Sequence, residues 1–369
     1  MTVSHSANGA LPQPTADSTA IDKQTLDELV ALLAARADAV DRLAAWPAEQ
    51  LRRSAEAGLV RWFVPPEFGG VARSQAEVFR MLSRLASACL TTAFCLTQPT
   101  GMAARVAASD NADLKRRVLP ELFDGRAYGA VGIAQLTTSR RHLQPVMRAR
   151  ETDAGYVLDG VIPWVTGGAH ARWIVTGAVL DDGRQLLGVL PTDRPGVTVE
   201  PAAEMVGLTA TSTGPVRCDS VLLEREWLLA PVVADVLKYG KGAGTGGLQT
   251  SALALGTIAA AVAFLQGEAE RRDDLKPIAA ELETQRQTLA NDLASLADGG
   301  TCNATSDDVR HRANGLALRS TQAALAAAKG SGYVVGHPAG RWCREALFFL
   351  VWSCPQPVVS ATLCEFAKL

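Results

Sequence analysis

The chain has 369 residues, 48% of them hydrophobic and 20% charged, which describes a folded globular protein and excludes a disordered or fibrous one. Its 36 basic residues nearly balance its 38 acidic ones, so no global field recruits nucleic acid or an anionic membrane. Seven scattered cysteines without a Cys-x-x-Cys pair, and five histidines without a ligand spacing, point to neither a disulfide framework nor a metal site.

Residues 1–20 are polar, contain no Arg and lack an apolar core, so they read as a loose tail and not as a targeting signal. A cytoplasmic protein is expected, with no segment apolar for long enough to span a membrane. From Asp22 to about Ala45 the apolar residues fall at helical spacing, and a second helix runs through Leu51–Ala57 to stop at Gly58. Val64–Gly70, VPPEFGG, is a rigid turn because its prolines and glycines suit neither helix nor strand. Helices are predicted over Ser74–Ser87, Thr91–Ala107 and Asp113–Phe123.

From Gly125 to Pro231 the pattern turns to alternating and β-branched runs, broken by Asp182-Gly183 and Pro195-Gly196 turns. After a glycine-rich joint at Gly240–Gly247, helices return over Leu248–Arg272, Pro277–Leu296, Asp307–Ala328 and Arg341–Val351. The class is α+β. The expected domains are a tail over 1–20, a helical domain over 21–124, a central β-domain over 125–235 and a four-helix bundle over 236–369.

Within the β-domain, Gly155–Val179 places Tyr156-Val157-Leu158 and Trp173-Ile174-Val175 on either side of a turn-rich middle, the pattern of a hairpin. Trp164 offers a flat apolar face, and Thr166, two residues on, is expected on the same side of an extended chain. Gly167 and Gly168 allow close backbone approach. On the residues alone, an ordinary hairpin with a core Trp and a Gly-Gly turn is the commoner explanation.

The segment nevertheless resembles the flavin-stacking stretch of the acyl-CoA dehydrogenase superfamily, Gly-Tyr-x-Leu-x-Gly-x-x-x-Trp-x-Thr-Gly-Gly. VPPEFGG, Met205–Val221 (MVGLTATSTGPVRCDSV) and Gly330–Ala346 (GSGYVVGHPAGRWCREA) are similar to further family stretches, in the family's order. The resemblance implies the family's fold and FAD, with Ala134, Trp164, Thr166, Arg272 and Gly330 as contacts. Ala134 stands where the family carries a Thr, and Arg272 alone remains of an adenosine-binding motif supplied by a neighbouring subunit. Lys329 beside Gly330 is either a pyrophosphate contact or a surface lysine.

The resemblance also implies an acyl thioester substrate, on coenzyme A or a carrier protein, oxidised at a CH–CH bond, with a homodimer or homotetramer as the assembly. An electron-accepting flavoprotein is a partner compatible with it. The family's catalytic Glu is missing. Ser353 takes its place, and Gln249 lies where some members carry the alternative carboxylate, on a helix opening Leu248-Gln249-Thr250. Neither side chain is a base at neutral pH. Arg140 and Arg141 form either a phosphate clamp or a solvated turn. Trp352 belongs to an aromatic cluster with Tyr333, Trp342, Phe348 and Phe349, read as core packing or as a wall of the substrate site, and Cys354 is redox-active only if exposed beside positive charge. Two alternatives stay open: a flavin monooxygenase on the same fold, which needs no carboxylate base, and a non-catalytic assembly subunit.

Overall fold

The computed structural model describes residues 23–137, 146–239, 247–300 and 302–368. The expected tail, most of the glycine-rich joint, and Arg140 and Arg141 lie outside the described residues.

Helix α1, Lys23–Leu43, buries Leu26, Leu29, Leu33, Ala37 and Val40, a single stripe at helical spacing. Helix α2, Ala48–Glu56, ends before Gly58, whose φ of +78° favours glycine. The VPPEFGG turn contains one 3-10 turn, Pro66–Phe68, closed by Gly69 at φ +83°. Helix α3, Gln75–Ala88, starts with a capping box in which the Ser74 hydroxyl accepts from Glu77 N and the Glu77 carboxylate accepts from Ser74 N.

Helices α4, Leu90–Ala108, and α5, Ala112–Phe123, complete the first region. Pro99 lies inside α4 and has no N–H to give to the Cys95 carbonyl one turn earlier. The Tyr128 hydroxyl donates to that carbonyl instead, at 3.0 Å, which fixes the first strand to the helix.

The strands are β1, Tyr128–Gly132; β2, Met147–Thr152; β3, Gly155–Val165; β4, Ala171–Leu180; β5, Gln185–Pro191; β6, Val197–Val199; and β7, Gly214–Glu224. They form one sheet in the order β1-β4-β2-β3-β7-β6, with β5 added to β4. β4 runs parallel to β1 and β2, while every other pairing is antiparallel.

The hairpin expected from Gly155–Val179 is therefore corrected: β3 and β4 do not pair, because β2 lies between them. The local hairpins are β2–β3, which pairs Thr152 with Gly155, and β4–β5, closed around Gly183 at φ +84°. Alternation shows which face of a strand is buried but not which strand lies beside it.

The chain then returns to helices α6, Leu248–Ala269; α7, Lys276–Ala297; and α8, Ser306–Gly332. α6 packs against α3, α7 and α8. By length and composition it could cross a membrane, which corrects the expectation that no segment is apolar for long enough, but 67% of its apolar window is buried inside the fold. The expected helix over Arg341–Val351 is two helices, α9, Pro338–Ala346, and α10, Phe348–Val351. A further helix, α11, Gln356–Ala367, lies beyond the Ser353–Pro355 turn and was not anticipated.

Candidate functional site

Trp164 stands near the end of β3 and is 42% exposed, whereas Thr166 is fully buried. Opposite β7, Ile162 pairs with Val216 and Val165 with Gly214, so the register shifts across Pro163-Trp164 and the alternation breaks there. Gly167 follows at φ +69°, and a Cβ on it would lie 2.5 Å from Trp46 Cη2 and 2.6 Å from Tyr128 Cε1. The Thr-Gly-Gly turn thus needs glycine because two aromatic rings press on it. Trp46 also stacks on His170, with ring centroids 4.3 Å apart.

After β3, three buried hydroxyls form a chain. Thr166 Oγ1 and Thr213 Oγ1 are 3.0 Å apart, and Thr213 Oγ1 and Thr211 Oγ1 are 2.8 Å apart. Three hydroxyls carry three protons, and two hydrogen bonds use two of them, so one O–H remains free to donate. Nearby, Gly132 approaches so closely that an added Cβ would sit 3.0 Å from Val165 Cγ2, which brings the end of β1 against the end of β3.

β1 leads into a 3-10 turn, Ala134–Leu136. Ala134 contributes no hydroxyl, but Gln135 beside it donates from Nε2 to Thr176 Oγ1 at 3.0 Å and to Gly177 O at 2.9 Å. This fixes the amide orientation and leaves Gln135 Oε1 buried without a partner. A buried acceptor on Gln135, a spare hydroxyl donor among the threonines and an exposed indole are the kinds of group that suit a planar ring with both N–H and C=O edges.

A second group comes from the C-terminal helices. Arg272, after α6, donates from Nη1 to Ala327 O at 2.8 Å, placing it one turn before Gly330. Lys329 interrupts α8 with φ 55° and ψ −145°, a glycine-like conformation. Gln249, in the first turn of α6, has a buried Nε2 without a partner. Trp352 stacks on Phe348 at 5.4 Å and meets the edge of Phe94 of α4 at 4.7 Å. Tyr333, expected in this cluster, is 88% exposed and lies outside it. Ser353 is exposed on the turn after α10, at φ +41°.

Sequence reasoning missed Thr211, Thr213 and Gln135 as polar groups of the site. The Thr-Ser-Thr in TATSTGP was the available signal, but hydroxyl spacing does not show that two segments meet across a sheet. Arg310, buried beneath the Ser353 turn, carried no signal in its surroundings in sequence.

The Acyl-CoA dehydrogenase, N-terminal domain family matches residues 15–126. A probable acyl-CoA dehydrogenase of Bacillus subtilis, YngJ, is 24% identical over 253 residues, which cover 67% of this chain and 67% of that protein. Among solved structures, butyryl-CoA dehydrogenase from Megasphaera elsdenii superposes with a TM-score of 0.81 at 18% identity, covering 97% of this chain and 100% of the other. A nitrososynthase from Micromonospora carbonacea has a TM-score of 0.76 at 20% identity, covering 94% and 96%.

Fold and relatives together define an acyl-CoA dehydrogenase-like flavoenzyme. Residues 15–126 belong to the acyl-CoA dehydrogenase N-terminal domain family, and the chain has the acyl-CoA dehydrogenase fold.

Proposed function

We propose that the protein binds FAD and, as a homodimer or homotetramer, oxidises the CH–CH bond of an acyl thioester carried by coenzyme A or a carrier protein. The observation that carries this reading is an exposed indole, Trp164, two residues from Thr166, whose buried hydroxyl belongs to a Thr166–Thr213–Thr211 chain with a spare O–H donor. Bound flavin would supply the hydride acceptor. Trp164 covers its ring, and the spare hydroxyl and Gln135 Oε1 satisfy its polar edge. Arg272 and Gly330, held close together by the Ala327 contact, take the adenosine and pyrophosphate end, and Arg140 and Arg141 supply phosphate contacts.

On the substrate side, Trp352 forms an aromatic wall and the unpartnered Gln249 Nε2 donates to a substrate oxygen. The Ser353 hydroxyl marks the place of the family's base without its proton affinity, so proton removal next to the thioester carbonyl is slow. A second reading follows from the same observation: with Ser353 and Gln249 at both base positions, a flavin monooxygenase reaction needs nothing that is missing. An external reductase, and not the thioester, would then deliver the electrons.

Anaerobic titration of the purified yellow protein with acyl thioesters tests both readings. Bleaching of the flavin absorbance by a thioester supports dehydrogenation. Bleaching by a reductase alone supports oxygenation, and failure to bind FAD overturns both.

A further inference from the structure

Arg310 of α8 is 2% exposed, and no carboxylate pairs with it among the described residues. Its Nη1 is buried without a partner. Burying a guanidinium without a counter-charge is costly, and an apolar side chain of similar length would fill the same space at lower cost. Packing of the bundle therefore gives no reason for the charge, whereas its hydrogen bonds do.

Those bonds lead to the turn that follows α10. Arg310 Nη2 donates to Trp352 O at 2.7 Å and to Phe349 O at 3.2 Å, two carbonyls that the four-residue helix leaves over at its C-terminal end. Arg310 Nε donates to Asn314 Oδ1 at 3.0 Å, which orients that amide so that its Nδ2 meets Cys354 Sγ at 3.7 Å. Arg310 and Asn314 lie one helical turn apart on α8, so a single helix holds Phe349, Trp352 and Cys354. Ser353, at φ +41°, sits between two held residues. On its other side Trp352 stacks on Phe348 at 5.4 Å and meets the edge of Phe94 of α4 at 4.7 Å, so its carbonyl is tied to α8 while its ring lies against α4.

We propose that Arg310 is a positioning residue of the substrate side, setting the place of the Trp352 ring and the Ser353 hydroxyl through the carbonyls it holds. The inference rests on the reading that Trp352 and Ser353 face an acyl thioester, and deepens it by giving the position of both to a guanidinium buried behind them. The fork is essential to the role. An ammonium is a single point of donation, so Arg310→Lys keeps the charge but loses the separated Nε and Nη2 donors.

The test uses the full chain loaded with FAD, as wild type, Arg310→Met, Arg310→Lys and Asn314→Ala. Three properties are measured: thermal midpoint with flavin retained through gel filtration, amide hydrogen exchange of residues 347–356, and anaerobic titration with butyryl-CoA and octanoyl-CoA followed by flavin absorbance. Arg310→Met should keep its flavin and its thermal midpoint, while the turn exchanges about tenfold faster. Its thioester dissociation constant should rise about tenfold. Arg310→Lys and Asn314→Ala should shift both readouts in the same direction by less. A residue that only fills the core would lower the thermal midpoint and leave thioester affinity unchanged. Wild-type affinity in a folded Arg310→Met protein overturns the proposal, whatever its exchange rate. If that variant does not fold, wild-type affinity in both Arg310→Lys and Asn314→Ala overturns it. A wild type whose flavin responds to neither thioester fails the thioester reading and the proposal with it, whereas a responding wild type with unchanged variants fails the proposal alone.

Discussion

Thr166 and Thr213 hold their buried hydroxyls 3.0 Å apart, joining the end of β3 to the start of β7. The bond does not complete the network, because a chain of three hydroxyls keeps one proton to give away.

Two variants separate the roles of these residues. Thr166→Val should destabilise the fold by about 1 kcal/mol, since it removes one buried hydrogen bond but leaves Thr213 its bond to Thr211. Trp164→Ala should lower the urea midpoint only modestly, because 42% of the residue is exposed, and raise the FAD dissociation constant at least tenfold. Flavin retained through gel filtration reads the second effect. Full retention by Trp164→Ala would refute the stacking role.

A carboxylate placed at Ser353 should create the base that the chain lacks. Ser353→Glu is expected to speed anaerobic flavin bleaching by an acyl thioester at least tenfold, with the gain growing as pH rises through the carboxyl's titration. The residue is exposed at a turn, so the larger side chain has room. No gain from either Ser353→Glu or Gln249→Glu would count against thioester dehydrogenation.

Glu345 of α9 is 3% exposed, and burial raises its carboxyl to about 7 despite the opposing pull of Arg341. The folded protein therefore holds this proton more tightly than the unfolded chain, whose carboxyl titrates near 4.5. Stability from the protonated group is complete below about 4.5 and is lost as pH rises through about 7. The full swing is of order 3 kcal/mol. Glu345→Gln should match the wild type at pH 5 and exceed it in urea midpoint at pH 8; equal midpoints at both values would show that the buried carboxyl does not titrate.

Lys329 occupies a glycine conformation inside α8. Lys329→Gly should relieve strain of about 1 kcal/mol and raise the thermal midpoint. If the ammonium also contacts the cofactor, the same variant binds FAD more weakly while being more stable. A less stable variant would contradict the strain.

The helices of the first region were legible because each has its own punctuation: the Ser74–Glu77 capping box, Asn111 before α5 and Gly58 after α2. α11 was missed because WSCPQP reads as an end, although Pro355-Gln356-Pro357 equally opens a helix. The Trp164–Thr166 segment was legible as residues and misread as geometry. Strand neighbours depend on β2, which lies outside the segment. The Gln135 orphan and the Arg310 pocket arise from contacts between distant segments, so local pattern carries no trace of them.

The position of β4 also sets an order in which the sheet can assemble. β2–β3 and β4–β5 are joined by tight turns and can form early at little cost in loop closure. β1 must wait for β4, since its parallel partners, such as Ala130 and Ile174, lie far along the chain. The bond from Tyr128 to the carbonyl left free by Pro99 ties that late strand to α4. Folding of the central sheet and its docking to the first helices are therefore expected as one slow kinetic event.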